Sequence, residues 1–349
     1  MTIYIFKPQL ASADNKLPLN LLESYINLNP PQQTTVFCFT DEIDSADFFL
    51  LPSSWNYYVD NKKIDLAKEF ISQSHKLNKR IIIFSTGDYT ANGPFEESII
   101  IQSSAFKSRD GFDGNILLAT PTFISDYLMK YCQGRFFYQK YQQKPIVGFC
   151  GQSNGTSLDY IRRRINIISK NIRYKLGLIK WEPPNMEPTL FRHDILKTIA
   201  SSSSIESNFI MRTKYRAGYR PKVKDPFHST RIEFIDNILN SNYTVCMRGG
   251  GNFSVRFYET LALGRIPIFI NTDCILPFDE MIKYKDYMVW VEESELPFIN
   301  QKILDFHNSL NQEKFNELQV ACRNLWQTYL TKDGFYFHLA DQLKALIGK

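Results

Sequence analysis

Three consecutive glycines, Gly249, Gly250 and Gly251, stand between Arg248 and Asn252, and Ser254, Arg256 and Glu259 follow closely. Residues without a Cβ let a ligand approach backbone N–H groups, and the free amides at a helix start add partial positive charge. An anion, above all a phosphate, fits such a place. Arg256 suits an anionic leaving group, and Glu259, three residues on and on a neighbouring position of the helix, suits a pair of sugar hydroxyls. The same two side chains could instead form a solvent-exposed ion pair beside a tight turn.

Such residues need a strand on either side to hold them. Residues 243–247 and 266–270 are short apolar runs rich in β-branched side chains, each bounded by loop formers, as buried strands are. Between them Asn252 or Ser254 can cap a helix, and Gly264 stands where a left-handed C-terminal residue is wanted. The unit reads as strand, glycine turn, helix, strand. Upstream, the very apolar residues 81–84 run into Ser85, Thr86, Gly87, Asp88 and Tyr89. That is the carboxyl end of a central parallel strand, where open α/β sheets bind ligands. Asp88 is the candidate general base, and an Asx-type turn is the competing reading.

The order Arg248 and Gly249, then Ser254, Arg256 and Glu259, then Gly264, Arg265, Ile266 and Pro267, then Leu276, Pro277 and Phe278 resembles the signature of the exostosin glycosyltransferase family. That signature usually has Pro before its Arg-Gly pair, where this chain has Met247; the departure concerns turn geometry and removes no charge. Residues 80–89, Arg109, Phe112, Asp113 and the run 116–121 look like the amino-terminal half of exostosin domains, so the likeness covers residues 45 to 310. It implies an inverting transferase of α/β GT-B architecture, with two facing Rossmann-like domains and the site in the cleft between them. By the same resemblance the donor is a nucleotide-diphosphate sugar, a UDP-sugar, bound to the second domain. Gly249, Gly250, Gly251, Asn252, Ser254 and Arg256 would surround its diphosphate and Glu259 would accept from ribose hydroxyls. Arg248 would stabilise charge on the leaving group. Asp279 and Glu280 are candidate acceptor contacts or alternative bases, and the acceptor implied is a glycan or lipid-linked glycan of a cell-surface polysaccharide.

No Asp-x-Asp triplet of metal-site character occurs, so neither a metal nor a cofactor beyond the donor is expected. Two other classes remain open. Gly249, Gly251 and Ser254 approximate the dinucleotide fingerprint, with Asp273 about where the ribose-binding acid falls, although the third glycine is missing. A non-catalytic carbohydrate-binding protein on a transferase fold is the other.

At 349 residues, 44% hydrophobic and 22% charged, the chain can bury two cores. A net charge of +5 is too small and dispersed for nucleic acid. Arg162, Arg163 and Arg164 could bind phosphates or an acidic membrane surface, or be a solvated helix face. Arg212, Lys214, Arg216 and Arg220, interleaved with Tyr215 and Tyr219, form a second basic group that could face donor, acceptor or a lipid diphosphate, or be plain surface charge. The six cysteines show no Cys-x-x-Cys pair and read as reduced, buried thiols. Residues 1–8 are too short an apolar run for a signal peptide, and no stretch of about 18 apolar residues occurs. A cytoplasmic enzyme, at most peripheral at the inner face of the membrane, is expected.

Along the chain, strands are expected at 3–6, 35–39, 47–51, 81–84, 116–119, 146–150 and 287–291, besides the two flanking the glycine turn. Helices are expected at 62–78, in part of 127–141, around Arg162, and at 231–240, 300–310, 315–329 and 337–347. Residues 181–188 read as an irregular excursion. The expected division is 1–143 for a first domain on the acceptor side, 144–329 for the nucleotide-sugar domain, and 330–349 for a helix returning to the first.

Overall fold

A computed structural model describes residues 2–7, 18–28, 36–89, 93, 95–108, 114–153, 157–179, 183, 187–219, 225 and 227–347, without the side chains of 157–160. Arg109, Phe112, Asp113, Arg220 and most of the 181–188 excursion lie outside the described residues.

The first sheet holds β1 (Ile3–Phe6), β2 (Phe37–Thr40), β3 (Phe48–Leu50), β4 (Ile81–Ser85), β5 (Ile99–Gln102) and β6 (Ile116–Ala119), in the order β2-β1-β3-β4-β5-β6. The second holds β7 (Ile146–Gln152), β8 (Glu206–Arg212), β9 (Tyr243–Cys246), β10 (Ile266–Asn271) and β11 (Val289–Glu292), in the order β8-β7-β9-β10-β11. Every pairing between these strands is parallel. Both sheets therefore follow one doubly wound scheme, in which the chain starts in the middle, goes to one edge and returns to build the other. The expected pair of Rossmann-like units is what the chain forms.

Central strands are apolar on both faces because helices cover both. Ile81, Ile82, Ile83 and Phe84 are all buried, as are Ile266, Ile268, Phe269 and Ile270. The strand expected at 35–39 lies at Phe37–Thr40, and the helix expected within 127–141 stops at Cys132. From Gln133 on, the chain runs irregularly across the second sheet's helices, with Gln139 N–H donating to Gln319 Oε1 at 2.8 Å. Helix Lys332–Lys344 packs Tyr336 on Tyr25, with ring centres 4.1 Å apart, and edge-on to Phe37.

The property of this fold that matters for a site is the strand splay at its reversal point. β7 and β9 pair only through Val147 with Tyr243 and Gly148 with Thr244. Beyond that register their carboxyl ends diverge, and the crevice between them is where doubly wound sheets take ligands.

Candidate functional site

Two guanidinium groups fill that crevice. Arg256 donates from Nη2 to Cys150 O at 2.8 Å and lies over the Phe149 ring at 4.1 Å. Gly151 makes room for it, since a Cβ there would lie 2.7 Å from Arg256 Nη2. Arg192, on helix Pro188–Ala200, donates from Nη1 to Gln152 O at 2.6 Å and from Nη2 to Arg248 O at 3.3 Å, so it ties β7 to the turn after β9. The Nε atoms of Arg192 and Arg256 are buried and have no hydrogen-bond partner among the described residues. Burial, then the Arg256 charge, pulls Arg192 down to about 10; burial lowers Arg256 as well. Two cations held close together and partly shielded from water make a place where an added anion is favourable.

The glycine turn is the second component. Gly249 N–H donates to Phe253 O at 3.2 Å and closes it. None of the three glycines has a positive φ, so their use is close approach rather than backbone freedom. A Cβ on Gly249 would meet nothing within 4 Å, whereas one on Gly250 would lie 2.8 Å from Asp88 Oδ2 and one on Gly251 2.8 Å from Asp88 Cα. The expectation of three open glycines thus narrows to one. Gly250 and Gly251 are seats for Asp88, and the structure brings this exposed carboxylate from the first sheet onto the turn. Arg248 is buried, folds back with Nη2 3.4 Å from Gly250 O, and lies over the Phe106 ring.

Helix Val255–Ala262 begins as expected, with Ser254 at the cap position, but the serine side chain makes no capping bond. Gly264 ends it in the left-handed region at φ 62°. Glu259 is buried in a three-residue cluster, accepting at Oε1 from Tyr127 O–H and from Arg231 Nη2, each at 2.9 Å. The ion pair that sequence spacing allowed to Arg256 is made to Arg231. Arg265 is wholly buried and donates to the carbonyls of Leu239, Leu263 and Gly264, so this part of the signature holds the fold.

Three of the candidate side chains, Asn252, Asp279 and Asp273, have partners within the protein. Asn252, expected beside the diphosphate, spends its N–H and both ends of its side-chain amide on packing: N–H to Ser104 Oγ at 2.8 Å, Nδ2 to Ala105 O at 2.7 Å, and Oδ1 from Thr272 at 2.7 Å. It clamps one lobe to the other, because a fully buried amide must satisfy its donors and acceptor. Asp279 faces Lys107 across the lobes at 3.4 Å, and Glu280 is exposed on the surface. Asp273, which a dinucleotide site would need, accepts from Ser108 N–H and O–H at 3.1 and 2.5 Å, and its own carbonyl takes Lys107 N–H.

Of the second basic group, Arg212 pairs with Glu233, and Tyr219 stacks on His228. Lys214 and Tyr215 line a pocket of about 360 Å³ with Gln152, Thr213 and Gly218, at the carboxyl ends of β7 and β8. Arg192 carries no local signal in the sequence. Only the helix it rides on, started by Pro188, was there to be read.

Residues 160–305 match the model of the Exostosin GT47 domain, and this stretch contains the glycine turn, Arg192, Arg256 and Glu259. This stretch is similar to the exostosin GT47 domain of glycosyltransferases. The chain is 31% identical over 100 residues to the Exostosin-1 homolog of Caenorhabditis elegans, covering 29% of this chain and 25% of the relative. It is 28% identical over 99 residues to Exostosin-1 of Drosophila melanogaster, covering 28% and 12%, and 30% identical over 91 residues to a probable glucuronosyltransferase of Physcomitrium patens, covering 26% and 19%. The chain thus matches a quarter or less of each relative's length. Among solved structures, a Staphylococcus aureus TarM mutant in complex with fondaparinux, alpha-GlcNAc-glycerol and UDP overlays at a TM-score of 0.38 and 8% identity, covering 78% of this chain and 58% of TarM. The spinosyn rhamnosyltransferase SpnG with thymidine diphosphate overlays at 0.33 and 8%, covering 84% and 73%.

Proposed function

We propose that this chain is an inverting glycosyltransferase that takes a sugar from a UDP-sugar bound at the β7–β9 crevice and places it on a glycan hydroxyl. The observation that carries the reading is the pair of half-buried arginines, Arg192 and Arg256, whose Nε atoms are buried at the reversal point of the second sheet. Each has an unpartnered Nε and no carboxylate in ion-pair range among the described residues.

In this reading the diphosphate lies against Gly249, whose Cβ side is open, with Arg256, Arg192 and the Ser254 hydroxyl around it. Glu259 offers its second oxygen to the ribose, while Tyr127 and Arg231 hold the first. The pocket at Gln152 and Lys214 has room for the rest of the nucleotide. The acceptor oxygen attacks the anomeric carbon from the side opposite the diphosphate and its proton passes to Asp88. The bonding pair of the sugar–phosphate linkage leaves with the UDP oxygen, where the two arginines stabilise it. Arg248 acts at one remove, by holding the turn. Asp279 and Glu280 are proposed as acceptor contacts, and a lipid-linked or free polysaccharide is the acceptor proposed. Lobes 1–143 and 144–329, with 330–349 returning to the first, are the domains proposed, and cytoplasmic residence accords with six cysteines that form no disulfide.

The test is release of nucleotide from a panel of UDP- and other nucleotide sugars, with and without added oligosaccharide, by the chain and by Arg256→Ala. Acceptor-dependent release lost in the variant supports the reading. Absence of binding to every nucleotide sugar in a thermal-shift screen contradicts it.

A further inference from the structure

Helix Ser157–Lys175 follows β7 and presents an apolar stripe to solvent along its length. Ile161, Ile165, Ile168 and Ile172 are 57%, 61%, 58% and 54% exposed, and Leu176 just beyond the helix is 67% exposed. At 100° per residue these five fall within an arc of about 80°. The opposite face holds the helix to the protein: Arg163 donates to Glu187 Oε1 at 2.7 Å and to Thr189 Oγ1 at 2.8 Å, and Ile167, Asn171 and Tyr174 are half-buried. The stripe therefore points away from the body.

Its flanks are of one sign. From residue 160 to 181 the sequence has seven Lys and Arg and no Asp or Glu. Arg162 and Arg173 border the stripe on one side and Lys175 on the other, all exposed. Spacing of four, three and four residues is also that of a coiled-coil seam. However, a seam two heptads long is shorter than such pairing needs, and a second copy would bring only cations to the flanking positions. An apolar strip rimmed by cations fits instead the boundary between the acyl chains and anionic headgroups of a bilayer. Among the described residues no helix is long and apolar enough to cross a membrane, so this one would lie in the interface plane.

We infer that helix Ser157–Lys175 docks this protein on anionic lipid membranes, with Ile161, Ile165, Ile168 and Ile172 inserted and Arg162, Arg173 and Lys175 at the headgroups. Helices that follow strands of a parallel sheet begin at its carboxyl edge, so docking would bring the β7–β9 crevice close to the lipid surface. The inference is independent of the donor proposed above.

The experiment is sedimentation of the full chain with vesicles of phosphatidylcholine alone and of phosphatidylcholine with phosphatidylglycerol. The variants are Ile165→Ser/Ile168→Ser/Ile172→Ser and Arg162→Gln/Arg173→Gln/Lys175→Gln, with circular dichroism to confirm the fold. The wild type should partition onto the anionic vesicles and far less onto the neutral ones. Each cation removed should weaken binding roughly fivefold, a hundredfold or so for three. Serine substitution should abolish it. Equal binding to both vesicle types, or wild-type binding by the serine variant, overturns the inference. So does a concentration-dependent dimer, seen by light scattering and lost in the serine variant, when the wild type ignores both kinds of vesicle.

Discussion

Alanine substitutions along the glycine turn should separate three functions that the sequence merges into one motif. At Gly250 the new methyl would lie 2.8 Å from Asp88 Oδ2 and 3.3 Å from Asp88 Cγ. The colliding atom is the tip of an exposed, flexible side chain, so a rotamer change relieves the clash at about 0.5–1.5 kcal/mol. The carboxylate is then displaced by about 1 Å, and a misplacement of that size costs about a hundredfold in rate. Gly250→Ala should therefore keep its Tm to within a few degrees and bind UDP as the wild type does, with kcat about a hundredfold lower. At Gly251 the methyl would meet Asp88 Cα at 2.8 Å and Phe253 Cε1 at 2.7 Å. Backbone cannot swing away, and overpacking of about 1–3 kcal/mol should appear as a lower Tm. At Gly249 nothing of the protein lies within 4 Å of the new methyl. Gly249→Ala should melt like the wild type yet lose UDP affinity, because the methyl occupies the place given to phosphate. Differential scanning fluorimetry, calorimetric UDP titration and nucleotide-release kinetics on the three variants read these out. Wild-type turnover by Gly250→Ala would refute the role of Asp88, and wild-type UDP binding by Gly249→Ala would refute the placement of the diphosphate.

Glu259→Gln removes the carboxylate that Arg231 faces; since the Arg231 side chain is 28% exposed, the loss should be about 2 kcal/mol, below the range for a fully buried pair, and visible in urea unfolding. Asn252→Ala deletes two side-chain hydrogen bonds and orphans Thr272 and Ala105, which should cost about 1–3 kcal/mol and speed amide exchange around residues 104–108. Burial pushes the thiols of Cys246 and Cys274 up to about 12, above their value in the unfolded chain. Below about pH 9 both states keep these protons and the contribution to stability is whole; above it the unfolded chain releases them first, so stability should fall as pH rises towards 12, with the urea midpoint dropping between about pH 8 and pH 11. A flat midpoint over that range would show that these thiols titrate normally.

Much of the fold was legible because central strands of a parallel sheet are apolar throughout. The strand at 81–84, the two strands flanking the glycine turn and the left-handed Gly264 all stand where their residue types place them. What escaped has definite causes. β8 is an edge strand with no fully buried residue, and its polar start, Glu206, Ser207 and Asn208, gives no periodic signal. Residues 181–188 read as an irregular excursion, whereas its last residue, Pro188, takes the first helical position and starts a helix, with Glu187 accepting from Thr189 and Leu190 N–H. Arg192 rides on that helix. Asp88 and Gly250 lie more than 160 residues apart, and the clamp role of Asn252 depends on Ser104 and Ala105 of the other lobe. Residue type named these side chains as chemically able, but only the packing of two lobes decides which faces ligand and which faces protein.

The central claim is that Arg192 and Arg256 together hold the pyrophosphate of an activated sugar. Calorimetric titration of UDP into the wild type, Arg192→Ala and Arg256→Ala tests it most directly. A hydrogen-bonded charge contributes about 1.5–3 kcal/mol, so each variant should bind about ten- to a hundredfold more weakly while retaining its fold. Equal affinity in all three folded proteins would contradict the claim.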